Sequence, residues 1–220
     1  LQDLPDVYIQ VVMAYDDGGN LVHTGVYVGD DLDTYLDAAK ASRAQNITVF
    51  EQGVDKIVAV MQADEFRATW VANKAVYRTR MAMAGGGELL VIAPGVKRFG
   101  EQPEVDDLIR KYGYISKSEV LELYAHEEDM QEIPHGTAHL VHGSSEGRFT
   151  IRYAPGGLTK EEIESVGYEY MDVNEALERY NPEVLNDGWN TLPDGEKVYF
   201  ISTPSAGLWA TRAKLEERDV

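Results

Sequence analysis

The feature that most constrains the fold is a helical stretch of about 20 residues between two short apolar runs. Residues 64–84 have the periodicity of a helix of about five turns, with acids in the first turn, where the helix dipole favours them. Strand-like apolar runs precede it at residues 56–61 and follow it at residues 88–93. The sequence therefore predicts a β–α–β unit, with the three glycines at residues 85–87 ending the helix.

The predicted helix has two contrasting faces. One face is small and apolar and is formed by Ala68, Ala72, Ala75, Val76, Thr79 and Met83. The other face, within an arc of roughly 100°, carries Arg67, Trp70, Lys74, Tyr77, Arg78 and Met81. Long cationic side chains often cover apolar surface with their charged ends in water, so a solvated face is the simpler interpretation. The sharper interpretation is a site for an anionic small molecule, because this stripe is cationic in an acidic chain.

Strands and helices alternate along the rest of the chain. Further strands are predicted at residues 7–14, 21–28, 149–153 and 198–202, and further helices at residues 31–43, 103–112, 116–129, 135–142, 159–166 and 174–180. This order predicts an α/β fold, a mostly parallel sheet with helices on both faces and an N-terminal antiparallel β-hairpin at one edge. No repeat or linker interrupts it, so residues 1–220 are predicted to form a single α/β domain. Residues 181–196, rich in turn formers, are predicted to be a surface excursion.

Composition narrows the possible partners. The chain has 38 acidic and 20 basic residues and a net charge of −18, which disfavours nucleic acid because phosphates would be repelled. The absence of cysteine excludes disulfides, thiolate metal sites and cysteine nucleophiles. No apolar run approaches about 18 residues and no leader is evident, so we expect a cytoplasmic protein without a membrane partner. A start without Met, directly in a strand, suggests a fragment of a longer protein.

Three of the five histidines lie within eight residues. His135, His139 and His142 are spaced so that a helix would bring them to one face, where imidazoles can share a metal. However, no Glu follows His135 as the metalloprotease pattern requires, and Gly136 weakens the helix. We therefore predict no metal site and favour a polar helix face near a cleft, with a metal-dependent hydrolase as a less favoured alternative.

A glycine-bounded loop follows the second strand of the predicted unit. Residues 95–100 have the glycine spacing of a phosphate loop, but Glu101 stands where that motif has Lys. Its position is more informative, because loops at the carboxyl ends of parallel strands border the ligand crevice. This loop carries Lys97 and Arg98. The glycines at residues 85–87 follow a helix and precede a strand, the reverse of a dinucleotide fingerprint, so a nicotinamide fold is disfavoured.

The order of these pieces resembles the carboxyl-terminal domain of the nickel-pincer lactate racemase family. The resemblance starts with Val11-Val12, the turn Asp17-Gly18-Gly19-Asn20 with Leu21-Val22-His23, and Gly29-Asp30. It continues with Trp70 three residues before Asn73-Lys74-Ala75 and with a Gly-Gly turn into a strand ending in Ala-x-Gly. In layout it covers about residues 5–180.

The resemblance implies a two-domain enzyme that racemises or epimerises 2-hydroxy acids. In such enzymes a nickel pincer nucleotide, bound mainly by the amino-terminal domain, takes a hydride from the substrate between the domains with the help of two histidines. Lys74 matches the lysine that holds the substrate carboxylate, and Trp70 matches the aromatic one turn before it. The histidine pair belongs to the amino-terminal half, so no catalytic residue is assigned here.

Two departures from the family's pattern bear on the substrate. Val71 stands where lactate racemases have an amide side chain, and the entry to the helix differs from their Gly-Tyr-Pro-Lys-Asp type. Arg67 could therefore serve a larger acid than lactate, such as a sugar acid of the aldonate class, with Lys97 nearby.

Two hypotheses follow for the function. The leading one is the substrate-facing domain of such a racemase or epimerase, which binds a small anionic substrate with Lys74, Trp70, Arg67 and Lys97. The amino-terminal domain of the same polypeptide is its predicted partner, and this chain alone is expected to be inactive. The alternative is a non-catalytic α/β module that binds an anionic metabolite or a protein partner.

Overall fold

The computed structural model describes residues 7–16 and 20–217. The chain divides into two compact units, Leu1–Thr48 and Val49–Val220. Over the described ranges, none of the helices combines the length and the apolarity that a membrane crossing requires.

The first unit is a β-hairpin with one helix packed on it. Its elements are β1 (Tyr8–Tyr15), β2 (Leu21–Gly29) and α1 (Leu32–Asn46). The strands pair antiparallel, with an irregularity of register between Val12 and Met13. Asp31 begins the helix by accepting a hydrogen bond from the backbone N–H of Thr34. The two predicted strands of the hairpin and the predicted helix are confirmed, whereas residues 17–19 of the predicted turn lie outside the described residues. The chain then passes into the second unit through β3 (Ile47–Phe50).

The second unit is built on a six-stranded sheet. Its strands are β4 (Val54–Val60), β5 (Met83–Ala93), β6 (Thr150–Pro155), β7 (Glu169–Tyr170), β8 (Gly188–Thr191) and β9 (Lys197–Ile201). Their order is β7-β6-β5-β4-β9-β8, and every neighbouring pair is parallel except β8–β9. The predicted mostly parallel sheet is therefore confirmed. The antiparallel strand at its edge is β8, whereas the N-terminal hairpin forms a separate two-stranded sheet.

The remaining elements of the second unit are mostly short helices. They are α2 (Thr69–Ala72), α3 (Lys74–Thr79), α4 (Pro103–Tyr112), α5 (Lys117–Tyr124), α6 (Glu128–Glu132), α7 (Pro134–Gly143), α8 (Lys160–Ser165), α9 (Val173–Arg179), α10 (Arg212–Glu216), a 3-10 turn at Pro204–Ala206 and the strand β10 (Leu208–Thr211). Thr159 and Glu162 form a capping box at the start of α8.

The predicted five-turn helix over residues 64–84 is wrong in its length. Ala68 has extended backbone and pairs with Arg98, so helical structure begins only at Thr69. Asn73 then separates α2 from α3. The side chain of Asn73 is buried and donates to the hydroxyl of Tyr168 at 3.0 Å, a tertiary contact that no periodicity reveals.

The sequence predicts that the three glycines at residues 85–87 end a helix. In the structure they belong to β5 instead. Val54 is opposite Met83 and Lys56 is opposite Glu88, so the glycine segment bulges out of the ladder. Gly86 has a φ of 78°, which favours glycine. A Cβ on Gly87 would lie 2.8 Å from the carbonyl oxygen of Asp55, so the backbones approach closely here.

Two other segments also differ from the sequence prediction. The single helix predicted over residues 116–129 is instead α5 followed by α6. Asp129 is held from α4 by Lys111 at 2.8 Å and by Tyr112 at 2.7 Å, which favours a new helix start there. Residues 181–196 are not only a surface excursion, because β8 lies within them. Pairing with β9 stabilises this short strand, in which Gly188 and Asn190, of low β-propensity, alternate with Trp189 and Thr191.

The core covers both faces of the sheet, as the fold class requires. Because side chains alternate along a strand, Leu89 and Val91 enter one cluster, and Leu90 and Ile92 enter the other. The larger cluster includes residues from helices α3, α4, α5, α7 and α8, and the smaller includes residues of α9. All six residues of the predicted apolar helix face are buried, although the helix is interrupted.

Charged side chains form a row across the strands. Lys56 contacts Glu88 at 2.6 Å and Glu196 at 3.1 Å. Arg152 contacts Glu88 at 3.1 Å and Glu169 at 2.6 Å. Lys56 and Arg152 thus form structural ion pairs that link neighbouring strands.

Leu90→Ala should lower the free energy of unfolding by about 2–5 kcal/mol, because it leaves a cavity at a fully buried position. Leu121→Ala is the matched control, since Leu121 is exposed and the change should stay within about 0.5 kcal/mol. Urea denaturation of both variants measures the difference. Equal unfolding midpoints for the two would contradict the placement of Leu90.

Candidate functional site

The carboxyl ends of the parallel strands meet at one edge of the sheet. The order of strands reverses at β4, because β5 lies on one side of it and β9 on the other. Ligands in open α/β sheets bind outside the carboxyl ends near such a reversal. The predicted residues Arg67 and Lys97 lie in the loops after β4 and β5, whereas Trp70 and Lys74 lie on the short helices α2 and α3.

Gln62 lies two residues after β4 and was not predicted as a site residue. Its Nε2 donates to the backbone carbonyl of Ser202, just after β9, at 3.2 Å. Its Oε1 is buried and has no donor among the described residues. The edge therefore contains a buried acceptor next to the point of strand reversal, and no sequence motif marks it.

Three backbone hydrogen bonds tie the loop after β4 to the loop after β5. The N–H of Lys97 donates to the carbonyl of Arg67 at 3.1 Å, and Thr69 and Trp70 donate to the carbonyls of Arg98 and Phe99 at 3.1 and 2.8 Å. Arg67, Lys97 and Arg98 therefore lie on two adjacent segments. All three side chains are exposed, and none makes an ion pair among the described residues. The predicted pair Arg67 and Lys97 is thus brought together by the fold.

Lys74 is the first residue of α3 and is half-buried. Its ammonium lies 5.5 Å from the ring centroid of the buried Phe66, within the range of a cation–π contact. No carboxylate among the described residues pairs with it. The ammonium is therefore neither consumed by a structural ion pair nor fully exposed, and it remains able to bind an anion.

Trp70 lies on α2 and contacts two histidine rings of α7. Its ring centroid is 4.6 Å from that of His139 and 5.9 Å from that of His135. His135 is exposed, and its Nε2 is 3.3 Å from the Oε1 of Gln102. The half-buried indole is thus held from one side by α7, a contact that sequence spacing did not predict.

His139 belongs to a buried chain of polar groups. Its Nε2 is 3.1 Å from the hydroxyl of Tyr114, which is 2.7 Å from the hydroxyl of Thr69. Burial, with a smaller contribution from nearby His142, lowers the pKa of His139 to about 3. His139 is therefore a neutral imidazole at physiological pH, positioned behind Trp70.

The three histidines of α7 do not converge on a metal-binding arrangement. His139 is buried, whereas His135 and His142 are exposed, and His142 packs beside Tyr77 at 5.7 Å. Within residues 7–16 and 20–217, no group of three or more His, Asp or Glu side chains could hold a metal ion. This geometry gives the metal-dependent hydrolase no support.

A cavity of about 220 Å³ lies at the amino-terminal end of β6. It is lined by Tyr114, Ser145, Phe149, Thr150, Ile151, Gly167, Tyr168 and Glu169. None of the four predicted substrate-binding residues lines it. Lys74, Trp70, Arg67 and Lys97 therefore lie outside this cavity.

The second unit is thus an open α/β sheet with a cationic and aromatic edge at its carboxyl ends. The chain as a whole has a lactate racemase-like fold. The chain is similar to the lactate racemase apoprotein from Thermoanaerobacterium thermosaccharolyticum, with a TM-score of 0.60 and 12% identity, over 92% of this chain and 45% of that one. It is also similar to a protein from Thermotoga maritima, with a TM-score of 0.67 and 20% identity, over 96% of this chain and 50% of that one.

These likenesses confirm the predicted resemblance at the level of the fold. The chain spans about half the length of the solved structures it matches. No protein-family model matches the chain, and no curated protein matches it significantly.

His139 should make the protein acid-sensitive. Because its pKa is about 3 in the folded state and 6.5 ordinarily, the unfolded state binds a proton below pH 6.5 that the folded state does not. The free energy of unfolding should therefore fall as the pH drops from 6.5 towards 3, by at most about 1.4 kcal/mol per pH unit.

Urea denaturation between pH 7 and pH 5 measures this effect in the wild type and in two variants. His139→Gln keeps an acceptor for Tyr114 and should flatten the dependence. His126→Gln, at an exposed histidine, should leave it unchanged. Parallel curves for the wild type and His139→Gln would contradict a neutral, buried His139.

Proposed function

We propose that this chain is the substrate-binding part of a racemase or epimerase that acts on a 2-hydroxy acid, with sugar acids of the aldonate class as the favoured substrates. The observation that carries the proposal is the group of cations at the carboxyl edge of the sheet. In a chain of net charge −18, Lys74, Arg67, Lys97 and the half-buried Trp70 lie on the segments that follow β4 and β5, and the three cations have no ion-pair partners among the described residues. The lactate racemase fold supports the reaction class.

Lys74 is assigned to the substrate carboxylate. Its ammonium is held over Phe66, which restricts its motion without neutralising its charge. A charge-assisted hydrogen bond from such a group contributes about 1.5–3 kcal/mol of binding. Trp70, held by the rings of His135 and His139, supplies a rigid apolar wall beside the carbon skeleton. Together they orient an acid and exclude water from one side of it.

Arg67 and Lys97 are assigned to the distal end of a longer substrate. Hydrogen bonding between their backbones places them on neighbouring segments, and both side chains are exposed at the edge. Guanidinium and ammonium groups donate to hydroxyl oxygens as well as to anions. A polyhydroxy acid offers them acceptors that lactate lacks, which is why the aldonate class is favoured over lactate.

No residue of this chain is assigned to the nickel pincer nucleotide that the resemblance implies. The described residues contain no group of three or more His, Asp or Glu side chains that could hold a metal ion. We place the cofactor and the reacting histidines in the other half of a longer polypeptide, because the solved structures are about twice as long as this chain. This chain alone should then bind an acid without racemising it.

Isothermal titration calorimetry of the chain with gluconate tests the assignment of Lys74. Gluconate should bind, and gluconamide, which lacks the carboxylate, should not. Lys74→Ala should weaken gluconate binding by at least about tenfold, the equivalent of about 1.4 kcal/mol. Lys117→Ala is the control, because Lys117 is exposed and its ammonium has no ion pair among the described residues. Equal affinity in the Lys74→Ala variant and the wild type would remove the proposed role.

Arg67→Ala and Lys97→Ala test the substrate class separately. Each should weaken gluconate binding several-fold while changing lactate binding little, because lactate has no distal hydroxyls. Titration of each variant with gluconate and with lactate gives the ratio of the two dissociation constants. An equal loss for lactate and gluconate would argue against a long sugar acid and in favour of a general effect of charge.

A further inference from the structure

The β-hairpin of the first unit has an uncovered apolar face. In register across the two strands, this face consists of the pairs Ile9–Val28, Val11–Val26, Met13–His23 and Tyr15–Leu21. All eight residues are exposed, and the exposed fractions of the seven apolar ones run from 37% to 67%. Helix α1 packs on the hairpin, where Val12 and Ala14, which alternate with the exposed residues, are buried. We call the uncovered side the open face.

The open face differs from the rest of the molecule. Of the exposed large apolar residues, twelve lie in β1, β2, α1 or immediately before them, within 48 residues, whereas five are scattered over the second unit. Neither β1 nor β2 contains an Asp, Glu, Lys or Arg, although 26% of the whole chain is charged. An apolar surface of this kind, without charges, marks a contact site.

The open face also lacks the second layer that a small sheet needs. An isolated two-stranded hairpin is marginally stable in water, and stable sheets bury at least one broad apolar face. Helix α1 packs on the other side of the hairpin and buries little apolar surface of its own. Ala38 is its buried residue, whereas Leu32, Tyr35 and Leu36 are exposed. The hairpin therefore gains stability from any apolar partner on its open face.

We propose that the open face is a self-association surface on which a second copy of this chain packs. The seven apolar residues offer on the order of 700 Å², close to the ~800 Å² that each partner buries in a standard interface. Two hairpins stacked face to face about 10 Å apart would interdigitate these side chains, as in a β-sandwich.

The charge distribution permits a second copy at the open face. Two copies of a chain of net charge −18 repel each other, and this repulsion costs least where the local surface carries no carboxylates. The open face meets that condition, and around a two-fold axis it would face an identical apolar patch. The proposal concerns the first unit and is independent of the function assigned to the second.

The test measures the mass of the full 220-residue chain in solution by light scattering after gel filtration. The wild type should be a dimer of twice 24.5 kDa at micromolar concentration. Val11→Glu with Val26→Glu places charges in the centre of the open face and should raise the dissociation constant at least tenfold. Val184→Glu is the control, because Val184 is an exposed valine of the second unit, and this variant should remain dimeric.

A wild type that is monomeric at all accessible concentrations overturns the proposal, including the case in which another segment of a longer protein covers the face. A dimer that persists unchanged in the double variant also overturns it, because the contact then lies elsewhere.

A second measurement does not depend on how well the double variant folds. The chain has no cysteine, so Val28→Cys and Val184→Cys each carry a single thiol. Maleimide labelling of Val28→Cys should slow as the protein concentration rises, whereas labelling of Val184→Cys should not. Equal, concentration-independent rates would contradict self-association through the open face.

Discussion

The parallel pairing of β4 with β5 is the constraint on which the second unit depends. Ile57, Val58 and Ala59 of β4 and Leu89 to Ile92 of β5 are completely buried, which requires cover on both faces of the sheet. A parallel pair also requires a crossover connection, and here the connection contains α2 and α3. The small residues Ala72, Ala75 and Val76 of these helices allow the close packing that this cover needs.

The candidate site is a consequence of the same crossover. The segment after β4 has to turn back over the sheet, and it does so by bonding its backbone to the segment after β5. This pairing uses the polar backbone groups of both loops and directs Arg67, Lys97 and Arg98 outwards at the edge. Elsewhere, Lys56 and Arg152 are consumed by carboxylates across the strands. The cations at the edge stay available because the fold brings no carboxylate to them among the described residues.

The two units differ in how their apolar residues are used. In the second unit nearly all large apolar side chains enter one of two clusters around the sheet. In the first unit the strand pattern is equally apolar, yet one whole face of the hairpin is exposed. Alternation along β1 decides which residues belong to which face, but it does not decide whether both faces have a partner. Because of this exposed apolar face, the first unit is the candidate for an interaction with another protein surface.

The sequence alone determined the fold class, the hairpin, most strands and the buried face of residues 68–83, because alternation and helical periodicity are local patterns of hydrophobicity. It also singled out Lys74, Trp70, Arg67 and Lys97, although their role in binding remains a prediction. The length of the central helix was wrong, since the extended backbone at Ala68 and the interruption at Asn73 follow from contacts with residues 30 or more positions away.

Only the tertiary structure decided how the predicted residues are combined. It joined the backbones of Arg67 and Lys97, placed Lys74 over Phe66 and buried His139 behind Trp70, while His135 and His142 stayed exposed. It also imposed β8 on a segment of turn formers. Each of these outcomes depends on contacts between residues that are distant in the chain, and a local pattern carries no information about which distant partner will be adjacent.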